Sequence, residues 1–595
     1  MNAPRKPRGC SFLLNPTGTE FIFTPEQFTD DQRMFARTAE DFMTRDVEPH
    51  AEALEHQDEG LMVQKLKKAG ELGLLMIDVP EQYGGLELDK TTSMLCSEKL
   101  ATYAGFSVSH GAHVGIGMMP LMYFGNAEQK ERYLPKLATG ELLAAYALTE
   151  PGSGSDALGA KTTAVRVEGD DGKVYYKLNG TKMWITNAGF ADLFTVFAKV
   201  DGEKFTAFLV EAAFEGVSTG AEEKKMGIKG SSTRMLILED VMVPEENLLY
   251  EIGRGHKIAF NILNIGRFKL GVGVLGGGKR ILEIASKYAA ERKQFNTPII
   301  RFGAIREKLA KMATHLYALE AMCYRVAGYM DTSIDALDSN ADDYTAQLMA
   351  AVEEFAIEDS IMKVFGSETV DMVADEGVQI HGGYGFSAEY AVERAYRDSR
   401  INRIFEGTNE INRMLIPGTL LKRAMKGELD LFGLVGAADA AAKDDKEVAP
   451  PVDTENLTFE MFIAEKAKQL ALWTANRAIQ KHMADLKDQQ ELLLAMADML
   501  IMTYGIDSTV ARVKQLLDDE KARPVHLAMA QLFTMDAYKV VVDRALGVLP
   551  ALAEGEKLQK LFDRADRFVY RLPHNRIALQ RIVADHVEEN PRWTV

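Results

Sequence analysis

The segment best equipped to move a proton is Ile404-Phe405-Glu406-Gly407-Thr408-Asn409. A carboxylate between apolar neighbours loses solvation, which raises its pKa and makes it a better base near neutral pH. Gly407 permits the sharp turn or close ligand approach that such a base requires. Upstream, Arg394, Arg397, Arg400 and Arg403 recur every three residues, a spacing that puts them on related turns of a helix leading to Glu406. By themselves these residues also describe an ordinary charged helix end.

Other stretches supply binding chemistry. In TEPGSGSDALGAK, residues 149–161, Gly152 and Gly154 leave backbone amides accessible while Thr149, Ser153 and Ser155 add hydroxyls. Such a loop cradles an anion or cofactor, or is a turn whose polar groups satisfy one another. In Met183-Trp184-Ile185-Thr186-Asn187, Trp184 can stack on a flat heteroaromatic ring with Thr186 bonding its rim, or cover a core edge. Arg267 and Arg292 suit phosphate recognition; the bland alternative is a surface ion pair of little net energy. Gln379-Ile380-His381-Gly382-Gly383 is a polar turn whose glycines can expose amides. His110 and His113 lack metal-site spacing, so Gly111, Ala112 and Gly115 around them matter more, as room for a ligand among helices. Gly271, Gly273 and Gly276 match GxGxxG formally, but no convincing strand precedes them, and close helix packing is the better reading.

The elements that must position these groups fall into blocks. Residues 1–24 read as a disordered lead-in without the apolar run of a secretory signal. Residues 25–145 read as a helical domain, with capping signals at Thr29 to Gln32 and Asn126 to Gln129. Short β-branched and aromatic runs separated by Asn-Gly and Asp-Gly turns predict a central antiparallel β domain over 146–255. Helices return over 256–426, a linker rich in small residues with Pro450-Pro451 covers 427–455, and an additional helical domain with its own core fills 456–595. The fold class is therefore mainly α with a central β domain. A formal charge of -18 and a pI near 5.3 argue against nucleic-acid binding. The cysteines Cys10, Cys96 and Cys323 are scattered, which suits a reducing compartment and no disulfide framework.

Across about residues 25–425 the chain resembles the acyl-CoA dehydrogenase family through YALTEPGSGSD, KMWITNAG, ERKQF, QIHGGYG and RIFEGTNE in that order. With its C-terminal extension it resembles the very-long-chain type. The resemblance implies an oxidoreductase of fatty acid β-oxidation and lipid metabolism that binds FAD and converts long- or very-long-chain acyl-CoA to trans-2-enoyl-CoA. Glu406 stands at the place of the base that takes the pro-R α-proton as hydride leaves the β-carbon for flavin N5. The thioester oxygen would meet the Glu406 amide and a ribityl hydroxyl. Tyr146, Leu148, Thr149, Ser155, Trp184, Thr186 and Thr408 occupy FAD-facing positions. Arg292, Phe295, Gln379 and Gly383 resemble residues that reach the FAD of a neighbouring subunit, so a homodimer is implied. Arg267, with Asn264 nearby, resembles a holder of the CoA side, and Gly111 an opened floor of the acyl cavity. Some relatives place the base just before the arginine at 267; here that position is Gly266, which leaves Glu406 without a rival. An electron-transfer flavoprotein is the implied electron acceptor and peripheral membrane association is implied with it; the lack of an export signal in the sequence is what points to the cytoplasm. An acyl-CoA oxidase and a noncatalytic acyl-CoA-binding scaffold are the alternatives.

Overall fold

The computed structural model describes residues 7–341, 343–444, 448–451 and 456–593. Those parts of the expected lead-in and linker that fall on residues 1–6, 445–447 and 452–455 lie outside the described residues. The N-terminal lobe includes helices α1 (Asp30–Phe42), α2 (Lys90–Leu100), α3 (Ala104–Gly111) and α4 (Ala127–Thr139). Both α1 and α4 begin with reciprocal caps: Gln32 N donates to Thr29 Oγ1 at 3.2 Å, and Gln129 N to Asn126 Oδ1 at 2.9 Å. Each cap satisfies amides that the first helical turn leaves without partners.

The central sheet contains β1 (Ala144–Ala147), β2 (Thr163–Glu168), β3 (Val174–Thr186), β4 (Leu193–Val200), β5 (Lys204–Glu211), β6 (Val217–Thr219), β7 (Thr233–Pro244) and β8 (Leu248–Leu249). Its order is β6-β7-β3-β2-β4-β5-β8, with β1 also paired to β4. The expected purely antiparallel sheet is corrected here. Both β1 and β2 run parallel to β4, because the chain returns across the sheet through the polar 149–161 loop rather than by a hairpin.

Long helices follow: α5 (Gly255–Glu291), α6 (Gly303–Asp335), α7 (Ala356–His381), α8 (Ala391–Ser399) and α9 (Asn409–Met425). The GxGxxG glycines lie inside α5 and form no phosphate loop. A Cβ on Gly276 would stand 2.0 Å from Glu98 O on α2, and one on Gly278 2.5 Å from Leu316 Cδ2 on α6. Gly276 and Gly278 let α5 sit against both neighbours.

Three expectations change in the outer regions. Residues 427–455 include helix α10 (Leu431–Lys443), with Ala438 and Ala442 buried. Beyond it, α11 (Thr458–His482), α12 (Gln490–Asp518) and α13 (Pro524–Leu552) join one apolar core with α5, α6 and α7 instead of enclosing a separate one. The described part of the lead-in is ordered: Phe12 and Ile22 are buried, Thr17 N donates to Glu465 Oε1 at 2.8 Å, and Ile22 N donates to Gln515 Oε1 at 2.8 Å. Local sequence shows no periodicity there because the order comes from contacts with α11 and α12. By length and composition α5 and α12 could cross a membrane, yet most of the apolar stretch of each is inside the protein.

Candidate active site

Glu406 lies on the turn between α8 and α9, with φ +57° at Glu406 and +79° at Gly407. A non-glycine residue in the left-handed region is held there at a cost of about 1–3 kcal/mol. Three buried side chains supply the restraint. Arg267 Nε donates to Glu406 O at 3.2 Å, Lys363 Nζ to Gly407 O at 2.7 Å, and Asn412 Nδ2 to Gly407 O at 2.8 Å and Thr408 O at 3.1 Å. Thr408 then caps α9, its hydroxyl accepting from Ile411 N at 3.3 Å.

The carboxylate has a different environment from its backbone. The residue as a whole is half-buried, but Oε2 is out of solvent contact and without a hydrogen-bond partner. Burial therefore pushes the Glu406 carboxyl up to about 7, and the charges of Arg267 and Lys363 oppose only part of that rise. Opposite it, a Cβ at Gly266 would stand 2.6 Å from Glu406 Oε2, so the absence of a side chain at 266 makes the room this carboxylate occupies. Asn264 Oδ1 accepts from Arg267 Nη1 at 2.8 Å and fixes the guanidinium on the face of α5 nearest the turn.

Glu406 opens onto a cavity of about 410 Å³ whose walls include Gly266, Gly273 and Gly277 of α5, Gly111, Thr186 and Phe405. A Cβ at Gly111 or Gly273 would meet no atom within 4 Å, so these glycines widen the cavity rather than admit another helix. His110 and His113 serve the framework: Nε2 of each pairs with a backbone carbonyl, Leu74 O at 2.9 Å and Leu137 O at 3.0 Å.

Cofactor candidates cluster where the sheet meets this cavity. The β3–β7 register shifts between Lys182 and Ile185, and Trp184, at φ +61°, turns outward with 54% of its surface exposed. Bulges re-aim side chains in this way. Thr186 follows on the cavity wall. Lys182 Nζ, fully buried, joins Glu150 Oε1 at 2.7 Å, and Met183 N donates to Thr149 O at 2.8 Å; together they fasten the 149–161 loop beside Trp184. Gly152 and Gly154 have no atom within 4 Å of a built Cβ, and Ser155 is exposed. Tyr146 and Leu148 are buried below, and the Tyr146 hydroxyl is enclosed without a partner. Burial pushes that phenol well up, with the Glu406 charge adding to the effect, which ties Tyr146 to the base electrostatically. An open, amide-bearing loop, an exposed indole and an orphaned buried hydroxyl fit a large aromatic cofactor with polar appendages.

Arg292, Phe295, Gln379 and Gly383 are not part of this cavity wall. They form a second, exposed group. Arg292 lies over the Tyr384 ring at 5.5 Å, and Phe295 and Phe386 are 90% and 88% exposed. Within one chain Glu406, Thr186 and Gly111 line the cavity, whereas Arg292, Phe295, Gln379 and Gly383 lie on the surface. Of the upstream arginines, Arg397 bonds Glu393 at 2.7 Å and Arg403 pairs with Asp371 at 3.1 Å, which anchors the approach to Glu406. Sequence reading passed over Lys363 and Asn412. The available signal for Lys363 was one cation inside the apolar run Ile361-Met362-Lys363-Val364-Phe365.

Residues 29–141, 145–241 and 253–421 match the N-terminal, middle and C-terminal domains of acyl-CoA dehydrogenase, and residues 466–567 match a further acyl-CoA dehydrogenase C-terminal domain. A probable acyl-CoA dehydrogenase of Bacillus subtilis (strain 168) is 48% identical over 591 residues, spanning 99% of this chain and 98% of its own. The crystal structure of an acyl-CoA dehydrogenase complexed with FAD from Bacillus anthracis matches with a TM-score of 0.95 and 48% identity, over 99% of this chain and 100% of that one. The mitochondrial very long-chain specific acyl-CoA dehydrogenase of Bos taurus is 37% identical over 543 residues, covering 86% of this chain and 79% of its own.

Proposed function

The chain belongs to the acyl-CoA dehydrogenase family, and within its FAD-dependent chemistry we propose that Glu406 abstracts the α-proton of long- or very-long-chain acyl-CoA thioesters. The observation that carries this reading is the fit of the Glu406 carboxylate against Gly266: a desolvated base stands in space that a side chain at 266 would fill. Arg267 holds the Glu406 carbonyl and so restrains the turn, and the Glu406 amide in the preceding peptide would stabilise charge growing on the thioester oxygen as the proton leaves. FAD, when bound, supplies the acceptor for the electron pair that leaves the β-carbon. Tyr146, Leu148, Thr149, Ser155, Trp184, Thr186 and Thr408 would hold it, with Arg292, Phe295, Gln379 and Gly383 serving the neighbouring subunit of a homodimer. The exposure of that second group supports the assignment.

The long-chain reading draws support from the cavity. Its wall includes α5 residues from Gly266 to Ile284, a stretch of helix of about 27 Å at the rise of about 1.5 Å per residue. Gly111 keeps the cavity open, while Asn264 and Arg267 would hold the CoA end. In this reading electrons pass to an electron-transfer flavoprotein, and the protein works in the cytoplasm with peripheral contact to a membrane that carries its poorly soluble substrates.

Anaerobic flavin reduction by CoA thioesters of graded length, with identification of the enoyl product, tests the reading. The rate should be greatest for chains of sixteen carbons or more, by the roughly 0.8 kcal/mol that each buried CH₂ contributes. A short-chain optimum would remove the length assignment, and stoichiometric peroxide in air would move the protein to the oxidases.

A further inference from the structure

Lys363 restrains the catalytic turn but has no assigned part in the proton transfer, yet it is entirely buried and its ammonium reaches that turn. Nζ donates to Gly407 O at 2.7 Å and to Asn409 Oδ1 at 2.8 Å. Asn409 is held in turn, its Nδ2 donating to Ser367 Oγ at 3.0 Å and Glu368 Oε1 at 3.0 Å. Helix α7 thereby grips Gly407 and Asn409, the residues that follow Glu406. We propose that Lys363 is a positioning residue for proton abstraction: it fixes the Gly407 carbonyl and, by its charge, keeps the Glu406 carboxylate in the ionised form that accepts the proton. This rests on Glu406 being the base.

The geometry favours a role beyond packing. A methionine of similar length would fill the same volume at no cost in desolvated charge, whereas a buried ammonium costs several kcal/mol unless it is compensated. The groups facing Lys363 are Glu406, Arg267, Glu410 and Glu368; those facing Glu406 are Arg267, Lys363 and the Tyr146 phenol. Burial draws Lys363 down to about 7, with Glu406 opposing that shift, and burial draws Glu406 up to about 7. Base and ammonium therefore titrate in one range as an interacting pair. Removing the ammonium takes away one of the two cations whose charge acts on Glu406, and the carboxylate becomes harder to ionise.

Lys363→Gln keeps an N–H donor for the turn and removes the charge; Lys363→Met removes both. In the FAD-loaded, full-length enzyme, the limiting rate of anaerobic flavin reduction by hexadecanoyl-CoA is measured from pH 5.5 to 9. The expected result is an acidic limb about one pH unit higher in both variants. The plateau should be about tenfold lower for Gln and lower again for Met. A limb at the wild-type position in the Gln variant overturns the proposal whatever the plateau does, because a purely structural lysine would change rate without moving the pH dependence. Should the Met variant not fold, the Gln variant decides alone. Failure of the acyl-CoA reading shows separately, as a wild-type flavin that no acyl-CoA reduces, and overturns both.

Discussion

Two buried charge clusters in this molecule are built on opposite rules. At the junction of α6, α11 and α12, Asp507 receives Arg325 Nη1 at 2.7 Å, Lys468 Nζ at 2.9 Å and Thr17 Oγ1 at 2.6 Å. Burial alone would raise the Asp507 carboxyl, but Lys468 and Arg325 outweigh it and hold the group below the usual carboxylate range. At the catalytic turn the cations Arg267 and Lys363 bond backbone carbonyls instead, and Glu406 Oε2 has no partner. There burial prevails and the carboxyl rises to about 7. Pairing makes a buried carboxylate inert; withholding the pair makes it a base. The same residue types thus anchor the C-terminal helices in one place and abstract a proton in the other.

Removing the unpaired acid should cost chemistry and no stability. Glu406→Gln is nearly isosteric and leaves the backbone restraints in place, so turnover should fall about 10²–10⁴-fold, with a melting temperature that is not lowered and that rises at pH above 7, where the ionised carboxylate is costly. Steady-state dehydrogenation at the wild-type rate would remove Glu406 from its role. Breaking the paired cluster should do the reverse. Arg325→Met takes from Asp507 one of its two cationic partners and should cost up to about 3–5 kcal/mol of stability, read by thermal or denaturant unfolding. The rate per folded molecule should be kept. If that variant lost activity at full stability, the two clusters would not be separable in the way their hydrogen bonds suggest.

Gly266→Ala tests the turn more gently. Its methyl would press on Glu406 Oε2, where contact at 2.6 Å is too close to stand. Displacing the carboxylate by a fraction of an ångström should lower kcat/KM about tenfold, with a packing cost of about 1–3 kcal/mol. An alanine enzyme with unchanged kcat/KM would mean that the base does not use that space.

The parts of this arrangement visible in sequence were local. A glutamate before a glycine, a glycine before Arg267, and capping residues three apart each act within a few residues, and their types state their use. Other features depend on distant partners. Pairing of β1 with β4 joins Ala144 to Leu193, and nothing in either run specifies a parallel neighbour. The segment around Thr17 and Ile22 has no periodicity of its own and is ordered by Glu465 and Gln515, residues far along the chain. Lys363 reads as an anomaly in an apolar helix until the turn at Gly407 is folded against it. Likewise Trp184 faces outward only because the β3–β7 register slips beside it.

A change of pH divides the two clusters without any mutation. The base must be ionised, so flavin reduction should rise through pH about 7 and lose about tenfold per unit below it. The sign for stability follows from each shift. Glu406 binds its proton more tightly folded than unfolded, so its contribution to stability is greatest below the ordinary glutamate value, and is lost as pH rises to about 7. Asp507 is the converse: its contribution is present above the ordinary aspartate value of about 3.9 and is lost as pH falls through its lower folded value. Between about pH 5.5 and 6 the base is protonated while the junction is still ionised and paired. The protein should therefore be slow yet fully folded there, and regain its rate when returned to pH 8. Parallel profiles of reduction rate and melting temperature check this. A melting temperature that fell together with the rate between pH 7 and 5.5 would show that acid acts through unfolding, and that the unpaired carboxylate is not what the pH dependence reports.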